Sequence, residues 1–199
     1  MGTIVVFENT SLDGVTQDAT GEEGISRVGD WRASLSPADR GAWDALILED
    51  ALAAQALLLG RRSYEFFAAR YPSRTGALAD QMNSLPKYVV STTLDHAGAW
   101  NGSTVLTGDV LSEVSTLKEK VDGEIRVYAS SRLVPALIDA GLVDELRLTI
   151  FPFVLGAGER LFDLISSSHS LRLVGARTVG ASLAYLTYQC VPDTERPID

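Results

Sequence analysis

The sequence predicts an α/β fold, with a mostly parallel sheet covered by helices on both faces and an antiparallel edge at the C-terminal end. Three observations carry that prediction. Short aliphatic runs at 55–59, 87–91 and 124–129 end in Gly, Ser or Ala-Ser and pass into helix-compatible segments. Strands that alternate with helices in this way must lie parallel, because each helix carries the chain back to the same end of the sheet. Two alternating runs, 170–179 and 181–191, then flank Gly180 and read as a terminal hairpin.

Composition bounds the function. The 199 residues are 46% hydrophobic and 22% charged, as expected of one domain over 1–191 followed by a polar tail at 192–199. A net charge of −9 opposes a nucleic-acid or anionic-membrane binder, which needs a dense basic surface. The single cysteine, Cys190, excludes an intrachain disulfide and a multi-cysteine metal site, and its apolar strand setting reads as a buried, inert thiol. His96 and His169 have no metal-ligand spacing, so no metal is expected. The N-terminus lacks a basic leader, and no apolar run approaches ~18 residues. The expectation is a soluble cytoplasmic protein.

Taken in order, 3–9 is a β-branched, apolar first strand, broken by the turn chemistry of Ser11-Leu12-Asp13-Gly14. A connection of roughly twenty residues follows, with Trp31 as its large apolar side chain; connections of that length are usually functional, often covering a site. Ser36-Pro37 is an N-cap and first-turn pair, and Trp43, Leu46, Ile47, Asp50 and Ala54 recur at helical spacing. A strand at 55–59 leads through Gly60 into a helix over 61–70, which Pro72 ends. A weaker helix at 77–84 precedes a strand at 87–91. Next come a short strand at 103–107 and a helix capped by Asp109 with a stripe of Val110, Val114, Leu117 and Val121. The strand at 124–129 leads to Ser130-Ser131 and a helix to Ala140, closed by Gly141. Pro135 requires that helix to start later than Ser131 or to have an irregular first turn. A long strand over 143–153, a glycine loop over 155–162 and the hairpin complete the chain.

Gly60-Arg61-Arg62-Ser63 combines a flexible turn, forked guanidinium donors and a hydroxyl at a helix start, which is what phosphate recognition uses. Taken alone, a glycine-capped strand end with solvated arginines explains it equally well. Ser91-Thr92-Thr93 and Ser130-Ser131 are further hydroxyl-bearing strand ends, each by itself a turn or cap. Three such ends on one parallel sheet favour an extended polyphosphate ligand. Neither Gly-x-Gly-x-x-Gly nor a P-loop pattern is present.

These motifs together resemble the dihydrofolate reductase-like superfamily, specifically the group that includes the C-terminal reductase domain of bifunctional riboflavin-biosynthesis proteins. The matching stretches are Ser11 to Gly14, Leu58-Leu59-Gly60-Arg61-Arg62-Ser63-Tyr64-Glu65, Pro86-Lys87-Tyr88-Val89-Val90-Ser91, Gly141-Leu142-Val143-Asp144-Glu145-Leu146 and Leu155-Gly156-Ala157-Gly158-Glu159-Arg160-Leu161-Phe162. The resemblance implies a three-layer fold with a mixed sheet of about eight strands, and a homodimer. It implies an NADPH-dependent reductase, similar to 5-amino-6-(5-phosphoribosylamino)uracil reductase, that passes hydride to a small pteridine- or pyrimidine-like or carbonyl-type substrate.

Residue by residue, the resemblance implies that Gly60, Arg61, Arg62 and Ser63 with Ser91, Thr92 and Thr93 hold the adenosine side and its 2′-phosphate. Ala129, Ser130, Ser131 and Leu133 would meet the pyrophosphate, and Asn9, Ser11, Asp13 and Gly14 the nicotinamide. Trp31, Leu155, Gly156 and Gly158 would cover the substrate. For the proton, Asp44 is nearest the acidic helix position of dihydrofolate reductases, with Asp13 a further candidate and Asp39, Glu49 and Asp50 competing. Two departures stand out: Ala129 replaces the family glycine and Ser63 a frequent threonine. The basic elements of a phosphoribosyl site are not evident. A non-catalytic nucleotide-binding or regulatory module is the alternative, and Ala129 is the feature that speaks for it.

Overall fold

The computed structural model describes residues 1–25 and 27–191; the tail expected at 192–199 lies outside the described residues. Eight strands form one sheet in the order β4-β3-β2-β5-β1-β6-β8-β7. They are β1 (Thr3–Ser11), β2 (Ala54–Gly60), β3 (Lys87–Val90), β4 (Ser103–Leu106), β5 (Glu124–Tyr128), β6 (Glu145–Phe151), β7 (Leu171–Val179) and β8 (Leu183–Cys190). Strands β4 through β6 run parallel, and β8 and β7 add antiparallel at one edge. The central strand β1 is apolar at successive positions because both its faces are covered: Ile4, Val5 and Val6 are all buried.

Six helices connect the strands: α1 (Trp31–Ser34), α2 (Pro37–Ala53), α3 (Arg61–Ala68), α4 (Ala77–Ser84), α5 (Val110–Lys120) and α6 (Leu133–Asp139). One core gathers Phe7, Leu57, Leu59, Val89 and Phe151 with Leu46 of α2 and Met82 of α4. The other, on the opposite face, gathers Ile4, Val6, Leu58, Val127 and Leu146 with α5 and α6. The period-2 alternation of β1 separates them.

Local chemistry explains the boundaries. Ser36 Oγ accepts the Asp39 N–H at 3.1 Å and donates to its carboxylate at 2.9 Å, which caps α2 just ahead of its first residue, Pro37. The same Asp39 carboxylate takes the Ala181 N–H at 2.6 Å and the Ser182 hydroxyl at 2.8 Å, so it also holds the β7–β8 turn. A Cβ on Gly180 would fall 2.2 Å from Asp39 Oδ1, so only glycine permits this approach. Helix α6 begins at Leu133, which places Pro135 in the first turn, where its missing N–H costs no helical bond. Helix α3 ends two residues earlier than the pattern predicts, at Ala68. The short α1, capped by Asp30, lies inside the connection that reads as irregular in the sequence. Cys190 is only partly buried, and burial pushes its thiol up to about 11. Among the described residues no helix is long and apolar enough to cross a membrane.

The sheet opens at its carboxyl end. Strand β5 pairs with β1 as far as Phe7↔Tyr128 but with β2 only as far as Leu57↔Arg126. Its neighbours continue, β1 along β6 to Ser11↔Phe151 and β2 along β3 to Gly60↔Val90. A gap therefore forms beyond Tyr128.

A buried ionic cluster sits under the sheet toward the other end of the strands. Asp50 of α2 accepts hydrogen bonds from Arg126, from Arg147 at 2.9 Å and from the Tyr128 hydroxyl at 2.8 Å. Arg126 and Arg147 also pair with Glu124, the latter at 2.8 Å, and Arg147 with Glu145. Burial opposes the Arg147 charge, but its bonds to Glu124, Asp50 and Glu145 hold it protonated. Burial and the adjacent Asp50 carboxylate push the Tyr128 hydroxyl up. Replacing Asp50 by alanine should take from the fully buried Arg126 its buried partner and from Tyr128 its acceptor, and lower stability by about 3–5 kcal/mol; urea unfolding at neutral pH measures it.

Candidate active site

A cavity of about 760 Å³ occupies the gap at the strand ends. Its back wall is the end of β1 and β5, with Glu8, Asn9, Ala129 and Ser130. Helix α2 contributes Trp43 and Ile47; α3 contributes Arg62, Ser63, Phe66 and Phe67. Parts of the 16–32 segment and Glu159 complete it.

The turn after β5 and the start of α3 are joined directly. The Gly60 N–H donates to Ser130 Oγ at 3.0 Å, Ser130 Oγ donates to the Tyr128 carbonyl at 3.1 Å, and the Ser130 N–H donates to Ser63 Oγ at 2.9 Å. These bonds replace the ladder that β2 and β5 abandon, and they unite two halves of a cradle that are far apart in sequence. Ala129 and Ser130 both adopt left-handed backbone, with φ of 50° and 65°. Such conformations strain L-residues by roughly 1–2 kcal/mol each. Leu133 faces the apolar core under the cradle, and Ser131 Oγ donates to Glu159 at 3.3 Å.

The other expected residues divide. Arg62 and Ser63 line the cavity, whereas Arg61 is half-exposed outside it, its Nε 3.9 Å from Glu65. Arg62 has no hydrogen-bonding or acidic partner among the described residues. Ser91 forms a turn, accepting the Thr93 N–H at 3.2 Å and the Leu94 N–H at 3.0 Å; with Thr92 and Thr93 it lies outside the cavity wall. Asn9 lines the cavity and accepts the Trp43 indole N–H at 3.1 Å.

The Ser11–Gly14 turn is a clamp. Ser11 Oγ donates to Asp13 at 2.7 Å, and Asp13 accepts the Leu155 N–H at 3.0 Å and the Gly156 N–H at 2.9 Å. These donors, Ser11 first, hold the Asp13 carboxyl well below the usual range, so it carries no proton to give. Gly14 N–H closes the turn on the Ser11 carbonyl at 3.0 Å. Gly158 has φ of 113°, and a Cβ there would meet Val15 at 2.7 Å, so the facing loop can seat only with glycine. Leu155, Gly156 and Gly158 thereby position Glu159 rather than forming the wall themselves.

None of the four helix carboxylates faces the cavity. Asp44 forms a two-point ion pair with Arg32, at 2.8 and 2.5 Å, on the surface. Asp39 holds the hairpin, Glu49 pairs with Arg177 at 3.0 Å, and Asp50 belongs to the buried cluster. Trp31 is a core anchor, with its ring centroid 5.5 Å from Phe151 and 5.3 Å from Phe153, so it fixes the 16–32 segment from below. That segment is tied further by Asp18, which accepts the Glu23 and Ile25 N–H groups at 2.8 Å, and by Arg70 on Glu22 at 2.5 Å.

Among the acidic residues at the cavity, the most buried are Asp18 and Glu8, the latter on β1 itself. Glu8 is 7% exposed; one oxygen accepts the Asn9 N–H at 3.1 Å, and the other has no partner among the described residues. Burial raises its titration to about 8, against a smaller pull from the Asn9 N–H. Its sequence signal is a charged residue directly after the apolar run Ile4-Val5-Val6-Phe7. Around the cavity run Trp43, Ile47, Phe67, Tyr71, Met82 and Phe151, an aromatic and apolar wall. Among the described residues no group of three acidic, His or Cys side chains is placed to hold a metal.

The family model described as the RibD C-terminal domain matches residues 2–185. The uncharacterized protein YyaP of Bacillus subtilis (strain 168) is 29% identical over 190 residues, covering 93% of each chain. A crystal structure from Shewanella sp. PV-4, provisionally assigned to riboflavin biosynthesis, is 24% identical with a TM-score of 0.73, over 96% of this chain and 99% of that one. Dihydrofolate reductase from Enterococcus faecalis, complexed with NADP(H), is 15% identical with a TM-score of 0.55, over 96% and 97%. The fold is that of dihydrofolate reductase.

Two measurements check the site's energetics. Ala129→Gly should relieve the left-handed strain and raise stability by about 0.5–1 kcal/mol in urea unfolding, after allowing for the greater freedom of glycine in the unfolded chain. Glu8 binds its proton more tightly in the folded protein than in the unfolded chain, from the ordinary 4.5 to about 8. Stability should therefore fall as pH rises from about 4.5 to 8, by up to about 1.4 kcal/mol per pH unit from this group. Glu8→Gln should remove that slope.

Proposed function

The chain belongs to the RibD C-terminal domain family, and on that premise we propose that it is an NADPH-dependent reductase of a flat heteroaromatic or carbonyl-type substrate. The observation that carries the reading is the joined cradle of Gly60–Ser63 and Ala129–Ser131, opening on a cavity that holds the unpaired Arg62. In a chain of net charge −9, an unpartnered guanidinium at a helix start fits an anionic ligand. The residues present therefore suit a phosphate-bearing dinucleotide.

NADPH, when bound, supplies a hydride. The chain's part is to bind and orient. Arg62, with the first N–H groups of α3, would hold phosphate oxygens, and Arg61, outside the cavity, would reach the 2′-phosphate. Trp43, Phe67, Tyr71 and Phe151 offer apolar faces to a planar ring and exclude water. Tyr71 is held by stacking on Trp100, with centroids 5.6 Å apart, so that wall is rigid. The acids Glu22, Glu23 and Asp30 on the cavity wall disfavour a phosphorylated substrate, in keeping with an unphosphorylated acceptor.

A second reading, a nucleotide-binding module without turnover, draws on two observations: the left-handed Ala129 and the Glu159 carboxylate bonded to Ser131 at the place where a pyrophosphate would lie. Titration of the intrinsic tryptophan fluorescence decides first between binding and no binding. NADPH should saturate the protein below millimolar concentration, and no saturable change would reject both readings. Arg61→Ala should weaken NADPH at least tenfold, about 1.4 kcal/mol, and NADH by less than about twofold. Equal losses would place Arg61 away from the 2′-phosphate.

A further inference from the structure

Trp43 fixes the orientation of the Asn9 side chain. An indole N–H can only donate, so the Asn9 amide turns its oxygen toward Trp43 Nε1, 3.1 Å away, and its NH₂ group to the other side. Asn9 stands on a paired strand, since β1 runs along β6 through Asn9↔Thr149 and on to Ser11↔Phe151. The Trp43 ring is seated in a T-shaped contact with Phe151, their centroids 6.2 Å apart. The amide is therefore held from the sheet and from α2 at once.

What this bond leaves over is a donor. Asn9 is half-buried and lines the cavity, and its Nδ2 has no partner among the described residues and is not enclosed. Alternation along β1 puts its side chain on the face of Phe7, in the core that also holds Trp43, Ile47 and Phe151. The cavity residues of β1 and α2 are Phe7, Glu8, Asn9, Trp43 and Ile47. Among their polar side-chain atoms Nδ2 is the one both unpaired and accessible, because Glu8 Oε1 takes the Asn9 N–H and Glu8 Oε2 is closed off. The carboxylates of α2 are all bonded elsewhere, Asp39 to the hairpin, Asp44 to Arg32, Glu49 to Arg177 and Asp50 to Arg126. A ring with a cationic amidinium edge would meet a donor on this wall and no carboxylate. A ring edge carrying a carbonyl oxygen or an unprotonated nitrogen completes the bonding of the amide.

We propose that Asn9 selects and registers the substrate: its Nδ2 donates to a carbonyl oxygen or unprotonated ring nitrogen on the β1-facing edge of a neutral planar ring, whose faces the aromatic wall covers. The inference rests on the reductase reading above, and it gives Asn9 to the substrate rather than to the nicotinamide. The amide points to the α2 side, among the rings, whereas the cradle at Gly60 and Ser130 backs onto Leu133 of the opposite core. A single fixed donor at one edge of an otherwise apolar slot sets which edge of the ring turns to β1, and it opposes any ring that presents N–H groups there.

Two planar bicyclic probes of opposite edge chemistry test this: quinazolin-4(3H)-one, neutral with a carbonyl edge, and 2,4-diaminoquinazoline, used below neutral pH where its protonated form carries an amidinium edge. In ¹⁵N NMR of the intact protein, with and without NADPH, one asparagine side-chain NH₂ pair, absent from Asn9→Asp, should shift as quinazolinone binds and stay in place with diaminoquinazoline. Asn9→Asp keeps an oxygen for the Trp43 N–H and puts a carboxylate oxygen where the NH₂ group stood; circular dichroism reports its folding. That variant should bind quinazolinone about tenfold more weakly and diaminoquinazoline about tenfold more tightly than wild type, a reversal that a merely structural role does not produce. The wild-type protein alone also decides: no quinazolinone binding up to its solubility limit, or binding that leaves the Asn9 NH₂ pair unmoved, would overturn the assignment. So would affinities for both probes that Asn9→Asp leaves unchanged. A loss of NADPH affinity of about tenfold in Asn9→Asp with quinazolinone binding retained would give the amide to the cofactor and sink the proposal. No NADPH binding at all would instead fail the reductase reading, and the cofactor-free probe titrations tell the two failures apart.

Discussion

The fold depends on a buried charge cluster. Asp50, on the apolar face of α2, takes hydrogen bonds from Arg126, Arg147 and Tyr128, which come from two strands separated by β1. Desolvating these groups costs several kcal/mol per ion, and the pairing returns that cost only when every partner is in place. The cluster therefore contributes register more than net stability: α2 has one position on the sheet that satisfies it. Ile47 and Trp43, one and two turns toward the N-terminus on the same stripe, are thereby aimed into the cavity. An aspartate that breaks the apolar pattern of a helix is thus what places the helix's functional end.

The cavity follows from the sheet losing its pairing at one end. Strand β5 stops at Tyr128 while β1 and β2 run on with other neighbours, and Ser130 bridges the resulting gap through Gly60 and Ser63. Holding that bridge puts Ala129 and Ser130 in left-handed backbone, a cost the surrounding hydrogen bonds sustain. The loops beside the gap are fastened by carboxylates, Asp13 to the facing glycine loop, Asp18 within the long connection and Asp39 to the terminal hairpin. Many of the chain's acids thus act as backbone clamps. Glu8 is the exception, with one oxygen on the N–H of its own neighbour and the other buried without a partner among the described residues.

Much of this was legible in one dimension. The strands, the helix over 77–84 and the hairpin around Gly180 appear where periodicity and turn residues put them, because those patterns report local geometry. The Gly60–Ser63 turn and Ser130 were recognisable as polar strand ends, and they meet as expected. The roles of the acids were not legible. Asp44, Asp39, Glu49 and Asp50 all sit on one helix at plausible spacing, yet each is claimed by a partner distant in sequence: Arg32, Ser182, Arg177 and Arg126. Trp31 belongs by sequence to an irregular loop, but Phe151 and Phe153, on and just beyond β6, draw it into the core.

By itself, then, the sequence determined the strand and helix order, the parallel centre with an antiparallel edge and the presence of a phosphate-suited turn, since short-range steric and hydrophobic patterns dictate those. The tertiary structure alone decided which charges are clamps and which is left over. Whether a carboxyl holds its proton depends on how much water and how many donors surround it, and both are set by elements far away along the chain. Glu8 and Asp13 lie five residues apart; burial beyond the end of β5 raises one to about 8, and three donors, two of them from the facing loop, keep the other ionised.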